Sequence, residues 1–364
     1  MPATLITVVI IGIVIALVLR YYPPLGRTET KERRAAYGRL EHYSGRKFVN
    51  VPPVDMRMDM KTVRSLLRDY AKPKPAIRPR QPLPVVPAAD WPPLGPGESR
   101  VTWFGHSASL LELEGKRILI DPMLGKAPTP FPIFGNKRYS RELPVRPEEL
   151  PFIDVVLLSH DHYDHLDYGT IRKLRGKAGL YIVPLGVGAH LRRWGIDPSI
   201  IRECDWRDEI RLDGIRFVCA PARHFSGRSL TDRDATLWCS WVIQGRERSV
   251  YYSGDGGYGP HFKAIGDEYG PFDLTLMECG QYDKRWADIH MLPEETVQAH
   301  LDVRGGVLLP VHWGAFTLSL HDWHDPIERV TRAAQAKQVK MATPRIGETV
   351  AIGGDRYPDE AWWK

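Results

Sequence analysis

Between residues 160 and 167 the chain reads His-Asp-His-Tyr-Asp-His-Leu-Asp, so imidazoles and carboxylates alternate at close spacing. Imidazole nitrogen and carboxylate oxygen together are a ligand set for zinc and its transition-metal neighbours. The run begins where the apolar strand-like VVLLS ends at Ser159, and a turn just past a strand can aim alternate side chains at one point. His160, His162, Asp164 and His165 are therefore candidate metal ligands. Three further candidates follow apolar runs of their own: His224 after IRFVCAPAR, Asp255 after SVYYSG and His312 after GVLLPV. Five histidines and two aspartates suffice for two adjacent metal sites. Such a pair turns water into a nucleophile at neutral pH and offsets charge on the attacked and leaving oxygens. His321 and His324, in SLHDWHD, have no preceding strand and read as rim or surface residues.

Positioning these groups requires a framework of strand ends. From Val101 onward short β-rich runs dominate, with a hairpin turn expected at Glu114-Gly115 and a helix-like stretch from Tyr168 to Arg175. Strands mixed with peripheral helices imply an αββα sandwich or another layered α/β fold. With 364 residues, 43% of them hydrophobic, the chain suits one large domain carrying N-terminal extensions. The four cysteines are widely spaced without a CxxC pair, which suggests neither a disulfide framework nor a cysteine zinc site and fits a reducing compartment.

The N-terminal part has a different chemistry. Ala3 to Leu19 is an uncharged apolar run near the ~17-residue lower limit for a bilayer span. With no cation before it and no small-residue cleavage site after it, the run reads as a transmembrane anchor, not a signal peptide. Residues 20–80 hold sixteen Lys/Arg against six Asp/Glu, a local charge of +10 within an overall +6. Because that excess follows the apolar run, it reads as contact with anionic headgroups, with no nucleic-acid partner expected. The positive-inside rule then places a single-pass protein in the cell inner membrane with its body in the cytoplasm. Tyr21 and Tyr22 would lie at the interface. A short helix is expected near Met60–Tyr70. Residues 73–96 are dense in proline and should be extended, with Val85, Val86 and Trp91 free to pack against the body. The expected organisation is an anchor over 1–20, a basic region and Pro-rich arm over 21–97, and a hydrolase domain over 98–364.

The motif of His160, His162, Asp164 and His165 resembles the HxHxDH signature of the metallo-β-lactamase superfamily. Within it, the chain resembles N-acylphosphatidylethanolamine-hydrolysing phospholipase D and its bacterial relatives. The residues that carry the resemblance are Phe48-Val49-Asn50, Trp103 to Pro122 (WFGHSASLLELEGKRILIDP), PARHFSGR, SGDGGYG and PVHWGAF. It implies an αββα metallo-β-lactamase sandwich holding two zinc ions, with manganese or iron as alternative occupants. His160, His162 and His224 would hold one metal, Asp164, His165 and His312 the other, and Asp255 would bridge both. His290, in WADIHMLPEE just before a helix starting near Pro293, would contact the scissile phosphate or assist the leaving oxygen. His106 and Asp121 would support the ligands. The expected activity is cleavage of a membrane phosphodiester, an N-acylphosphatidylethanolamine-type phospholipid, by a hydroxide bridging the metals. The rival readings are a lactonase resembling the ascorbate-6-phosphate lactonases and a non-catalytic membrane scaffold.

Overall fold

The structure is a computed structural model. It describes all residues except 1, 55–58, 73–75, 89, 90, 93 and 96, and the side chains of residues 2–4 are likewise left aside.

The N-terminal elements are α1 (Pro2–Tyr21), α2 (Lys31–Tyr37), a hairpin of β1 (Tyr43–Ser44) and β2 (Lys47–Phe48), and α3 (Met60–Tyr70). The first half of the body contains β3 (Ser99–Trp103), β4 (Ser109–Leu113), β5 (Lys116–Ile120), β6 (Ile153–Leu157), α4 (Tyr168–Lys173), β7 (Ala178–Pro184), α5 (Gly188–Arg193) and β8 (Ile201–Cys204). The second half contains β9 (Glu209–Leu212), β10 (Ile215–Ala220), β11 (Ser240–Gln244), β12 (Ser249–Tyr252), α6 (His261–Tyr269) and β13 (Phe272–Glu278). It ends with α7 (Pro293–Asp302), β14 (Gly305–Val311), α8 (Asp325–Ala336), β15 (Lys340–Met341) and β16 (Thr349–Ala351).

These strands form two seven-stranded sheets, ordered β16-β3-β4-β5-β6-β7-β8 and β15-β14-β13-β12-β11-β10-β9. Both are mixed: β5 to β8 and β12 to β15 run parallel, and the rest pair antiparallel. Parallel strands with helix-covered faces bury both sides, which is why β6 (IDVVL) and β14 (GGVLLPV) are nearly continuous apolar runs. Trp103, Leu111, Val155, Phe217, Trp241 and Tyr251 fill the space between the sheets. Outside the first sheet, Ile171 of α4 and Leu191 of α5 pack against Leu110, Leu119 and Val156. Outside the second, α6, α7 and α8 do the same through Ile265, Val297 and Val330. The layered α/β reading resolves to αββα. Glu114 and Gly115 both take positive φ (49° and 77°), as the turn joining β4 to β5 requires. All four cysteines are free and buried.

The Pro-rich arm is docked where it is described. Leu83 N–H donates to Tyr139 O, Val86 N–H to Ile346 O and Ala88 N–H to Pro144 O. Val85 packs on the inter-sheet core and Trp91 on the cluster outside the first sheet. Val86 is the exception to the packing expectation, because its side chain is exposed at 36% and only its backbone holds the arm. Within that stretch residues 73–75, 89, 90, 93 and 96 lie outside the described ones.

The apolar N-terminal run folds as the helix α1, and its side chains are exposed from Leu5 to Leu17. The expected membrane span is not met as such: among the described residues no helix is long and apolar enough to cross a membrane. The reason is length. The apolar run from Ala3 to Leu19 is 17 residues, a rise of about 25 Å against the ~30 Å hydrocarbon core. The segment just after α1 is clamped to the body. Arg193 donates to Arg20 O and Tyr22 O, Trp194 Nε1–H to Pro23 O, and Arg228 to Pro24 O. Helix α3 forms over the residues expected, with Asp59 capping its start by accepting from Thr62 N–H at 2.7 Å.

Candidate metal centre

Every candidate ligand sits just beyond the C-terminal end of a strand, all at one edge of the sandwich. The 160–165 loop follows β6, His224 follows β10, Asp255 follows β12 and His312 follows β14. A backbone link closes the two sheets at this edge: His106 N–H donates to Trp313 O and His312 N–H to His106 O, both at 2.9 Å. His106, Asp121 and His312 all have positive φ (55°, 38° and 67°). Non-glycine residues in that region cost on the order of 1–3 kcal/mol each and persist where the surrounding structure over-determines them.

The side chains gather in two clusters. In the first, His160 Nε2 lies 2.9 Å and His224 Nε2 3.2 Å from His162 Nδ1. The partners of the opposite ring nitrogens set the tautomers. His224 Nδ1–H donates to Ile289 O at 3.0 Å. His160 Nδ1–H donates to Ser159 Oγ at 2.9 Å, because that hydroxyl gives its own proton to Asp121. Two lone pairs therefore point at a third ring nitrogen within hydrogen-bond distance, an arrangement that a shared cation would turn from repulsion into ligation. Asn50 fixes the His224 backbone from both sides, accepting its N–H and donating to its carbonyl.

In the second cluster His165 Nε2 lies 3.5 Å from Asp164 Oδ2, and His312 Nε2 lies 4.0 Å from the same oxygen. Asp121 accepts from His165 Nδ1–H at 2.6 Å and from Tyr252 O–H at 2.5 Å. His106 Nε2–H donates to Asp164 Oδ2 at 2.9 Å, and Ser107 Oγ sits 3.2 Å from His312 Nδ1. His106 and Asp121 thus hydrogen-bond the candidate ligands Asp164 and His165, and His106 also has a ring nitrogen close enough to join the cluster.

Asp255 stands between the two. Its Oδ2 is 3.8 Å from both His160 Nε2 and His224 Nε2 and 3.0 Å from His165 Nε2, while Oδ1 is 3.1 Å from His312 Nδ1. Oδ1 is a buried acceptor without a hydrogen-bond donor. Burial pushes the Asp255 carboxyl up to about 7, against the pull of His165. Burial and the neighbouring imidazoles hold His160, His224 and His312 well below the usual histidine range, and burial takes His162 down to about 4. Neutral imidazole is the ligating form. His165 is the exception: burial opposes its charging, but Asp255, Asp164 and Asp121 outweigh it and raise the group well above that range. A buried carboxylate oxygen lacking a donor, beside the neutral imidazoles of His160, His162, His224 and His312, fits a pair of divalent cations.

His290 lines the same cavity, with its ring 5.3 Å from that of His312. Its Nδ1–H donates to Glu278 Oε2 at 2.9 Å, and Glu278 Oε1 accepts from Met291 N–H at 2.8 Å. Glu278 went unnoticed in the sequence, although an acid closing the apolar strand DLTLM is the signal that could have found it. Burial raises it well above the usual carboxylate range. Asp161 was also unassigned. It accepts from Thr236 Oγ1–H, Gly227 N–H and His190 and so pins the loop from behind. Asp167 caps α4 by accepting from Thr170 N–H at 2.7 Å. His321 joins neither cluster; it accepts from Gln281 N–H at 2.8 Å and stacks on Tyr282. His324 faces Glu328 on α8 at 3.2 Å.

The cavity over the clusters measures about 340 Å³. His162, Asp164, Asp255, His290 and His312 line it, with Phe225, Trp286, Ile289 and Leu318 as apolar walls and Arg233 and Arg285 as cations. A larger cavity of about 1100 Å³, beside Arg138 and Arg141, includes none of the clustered ligands.

Comparison with known proteins agrees with this geometry. Residues 116–313 match the Beta-lactamase superfamily domain. The chain is 42% identical to an uncharacterized protein of Mycobacterium tuberculosis over 91% of its own length and 89% of that protein's. It is 32% identical to the N-acyl-phosphatidylethanolamine-hydrolyzing phospholipase D 1 of Caenorhabditis elegans, over 68% of this chain and 74% of that one. Among solved structures it resembles an isothiocyanate hydrolase from Delia radicum gut bacteria, with TM-score 0.55 and 20% identity over 70% of this chain and 98% of that one, a likeness of fold alone. The two sheets, the ligand-bearing strand ends and these similarities together make the chain a member of the beta-lactamase superfamily of metal-dependent hydrolases.

Proposed function

We propose that the protein is a phosphodiesterase of the phospholipase D type acting on an N-acylphosphatidylethanolamine-like phospholipid. The observation that carries the reading is the cavity itself: apolar walls and two guanidinium groups stand over the His/Asp clusters. A phosphodiester bearing acyl chains needs that combination, anionic at the reacting centre and apolar beside it. The similarity to the worm phospholipase D supports the same substrate class.

His160, His162 and His224 would hold one cation, Asp164, His165 and His312 the other, and Asp255 would reach both. Zinc is the proposed metal from the donor set, with manganese or iron as the alternatives that availability decides. When bound, such a pair supplies a water-derived nucleophile at neutral pH and electrostatic stabilisation of the phosphoryl oxygens. The rest falls to the chain. Phe225, Trp286 and Leu318 exclude bulk water from the reacting phosphate. Arg233, whose guanidinium lies 4.5 Å over the Phe225 ring, orients its charge, and Arg285, already paired with Asp283 and Asp69, frames the cavity beside it. Glu278 holds His290 by Nδ1, leaving the Nε2 lone pair to take the proton that the attacking water gives up and hand it to the departing alkoxide of the N-acylethanolamine. Phosphatidate is the other product.

In this reading α1 inserts in lipid and brings the site to its substrate, which raises the local encounter rate. The cations that follow it would face anionic headgroups of the leaflet, and the proposed location of the body is the cytoplasmic side of the inner membrane. Purified protein should convert N-acylphosphatidylethanolamine to N-acylethanolamine by mass spectrometry, and protein stripped of metal should not. Equal rates with and without metal would refute the proposal.

A further inference from the structure

Among the described residues a second apolar feature is exposed beside the foot of α1. The loop between β5 and β6 carries Phe131-Pro132-Ile133-Phe134, in which Phe131 is 41%, Ile133 85% and Phe134 72% exposed. The segment is a tight turn, closed by Phe134 N–H donating to Phe131 O at 2.9 Å. Its neighbours hold it in place: Arg138 N–H donates to Lys126 O, and Asn136 Nδ2–H donates to Thr317 O at 2.6 Å. The turn is joined to the residue that follows α1. The Tyr22 ring stacks on Phe131 with centroids 4.9 Å apart, and Tyr22 O–H donates to Pro130 O at 2.7 Å.

We infer that the turn over 131–134 is a second lipid-contact point, in which Ile133 and Phe134 enter the headgroup and acyl boundary of the phospholipid leaflet that holds α1. The inference rests on the proposed insertion of α1. Exposed apolar side chains clustered on a fixed turn mark an interaction surface, and its continuity with the exposed apolar helix through Tyr22 selects lipid as the occupant. Charge agrees. Lys126 and Lys137 bracket the turn in sequence, both are exposed, and neither makes an ion pair among the described residues. With Arg20 at the end of α1, they suit a leaflet containing anionic headgroups. Two contacts also fix what a single helix leaves free, the tilt of the body against the leaflet. The metal-bearing edge therefore keeps one attitude to the leaflet.

The test uses the full-length protein in nanodiscs of phosphatidylcholine and phosphatidylglycerol. Single labels are placed through Phe134→Cys, Ile10→Cys and Lys263→Cys, the four natural thiols being buried. The account expects the label at 134 to be quenched by lipids carrying a nitroxide high on the acyl chain and shielded from iodide in water. The label at 263 on α6 should show the reverse. Adding Lys126→Glu and Lys137→Glu should weaken the lipid quenching at 134. If the label at 10 is quenched by lipid while the one at 134 stays open to iodide, the turn is not a lipid contact and the anchor stands. If neither is quenched by lipid, the anchor reading fails and the inference falls with it. Lipid quenching of equal size at 263, or shielding at 134 that grows with protein concentration in the absence of added lipid, would also overturn the inference, the first by nonspecific adsorption and the second by self-association.

Discussion

The two ligand clusters lie side by side and are built on different principles. The first is three imidazoles whose supports are neutral: Ser159 Oγ behind His160, and Ile289 O and Asn50 behind His224. The second contains a carboxylate among its candidate ligands, Asp164, and is supported by the fully buried carboxylate of Asp121 together with His106. An anionic partner raises the basicity of a ligating imidazole, as a neutral one does less. The asymmetry teaches that the clusters should differ in grip on a cation, the second holding tighter, and that Asp255 is the residue both depend on.

The largest effect should come from breaking both at once. Asp255→Asn keeps the side-chain volume but removes the charge that reaches His160, His224, His165 and His312. Turnover should fall by on the order of 10⁴-fold or more, with metal content falling in both clusters by elemental analysis. His162→Ala should also abolish turnover, but empty the first cluster before the second.

His290→Ala sharpens the comparison by removing none of the seven candidate ligands. Activity should fall roughly 10²- to 10³-fold while both metals remain, and Glu278→Gln should produce a smaller loss through a misplaced ring. The pH–rate profiles of the two variants, compared with the wild type, separate a lost proton donor from a lost shape.

The supports themselves come next. Asp121→Asn should weaken the second cluster's metal affinity by about 10- to 100-fold, and Asn50→Ala should weaken the first cluster by less. Competition with a graded chelator reads both. Equal losses would remove the asymmetry.

The smallest effect lies away from the metals and calibrates the body. His300, buried on α7 beside Thr275 Oγ1 at 2.7 Å, is pushed down to about 4 by burial. Its folded value lies below the unfolded value near 6.5, so the unfolded chain takes up the proton first. The stability it protects is complete above about pH 6.5 and is lost as pH falls towards 4, by on the order of 3 kcal/mol. His300→Gln should flatten that part of the pH dependence of the melting temperature.

How far the site was legible followed from where its parts lie in the chain. The 160–165 loop could be read because its ligands are consecutive, and His224, Asp255 and His312 because each ends an apolar run. Glu278 was missed because one acid at a strand end resembles any solvated terminus until His290 is found against it. Asp161 was missed because it points away from its neighbours, towards His190 and Thr236, and no local spacing shows that. The order of the strands within the two sheets was also hidden, since pairings such as β16 with β3 join residues more than two hundred positions apart. The anchor shows the opposite limit: the apolar run was evident and the helix forms, but a crossing of the membrane does not follow from the described residues.

The central claim is that the two clusters are two metal sites joined by Asp255. Anomalous diffraction at the metal edge, on crystals of wild type and Asp255→Asn grown under the same conditions, tests it directly. The account predicts two peaks in the wild type, one among His160, His162 and His224 and one among Asp164, His165 and His312, with both diminished in the variant and the first diminished more. A single peak, or two peaks unchanged by Asp255→Asn, would contradict it.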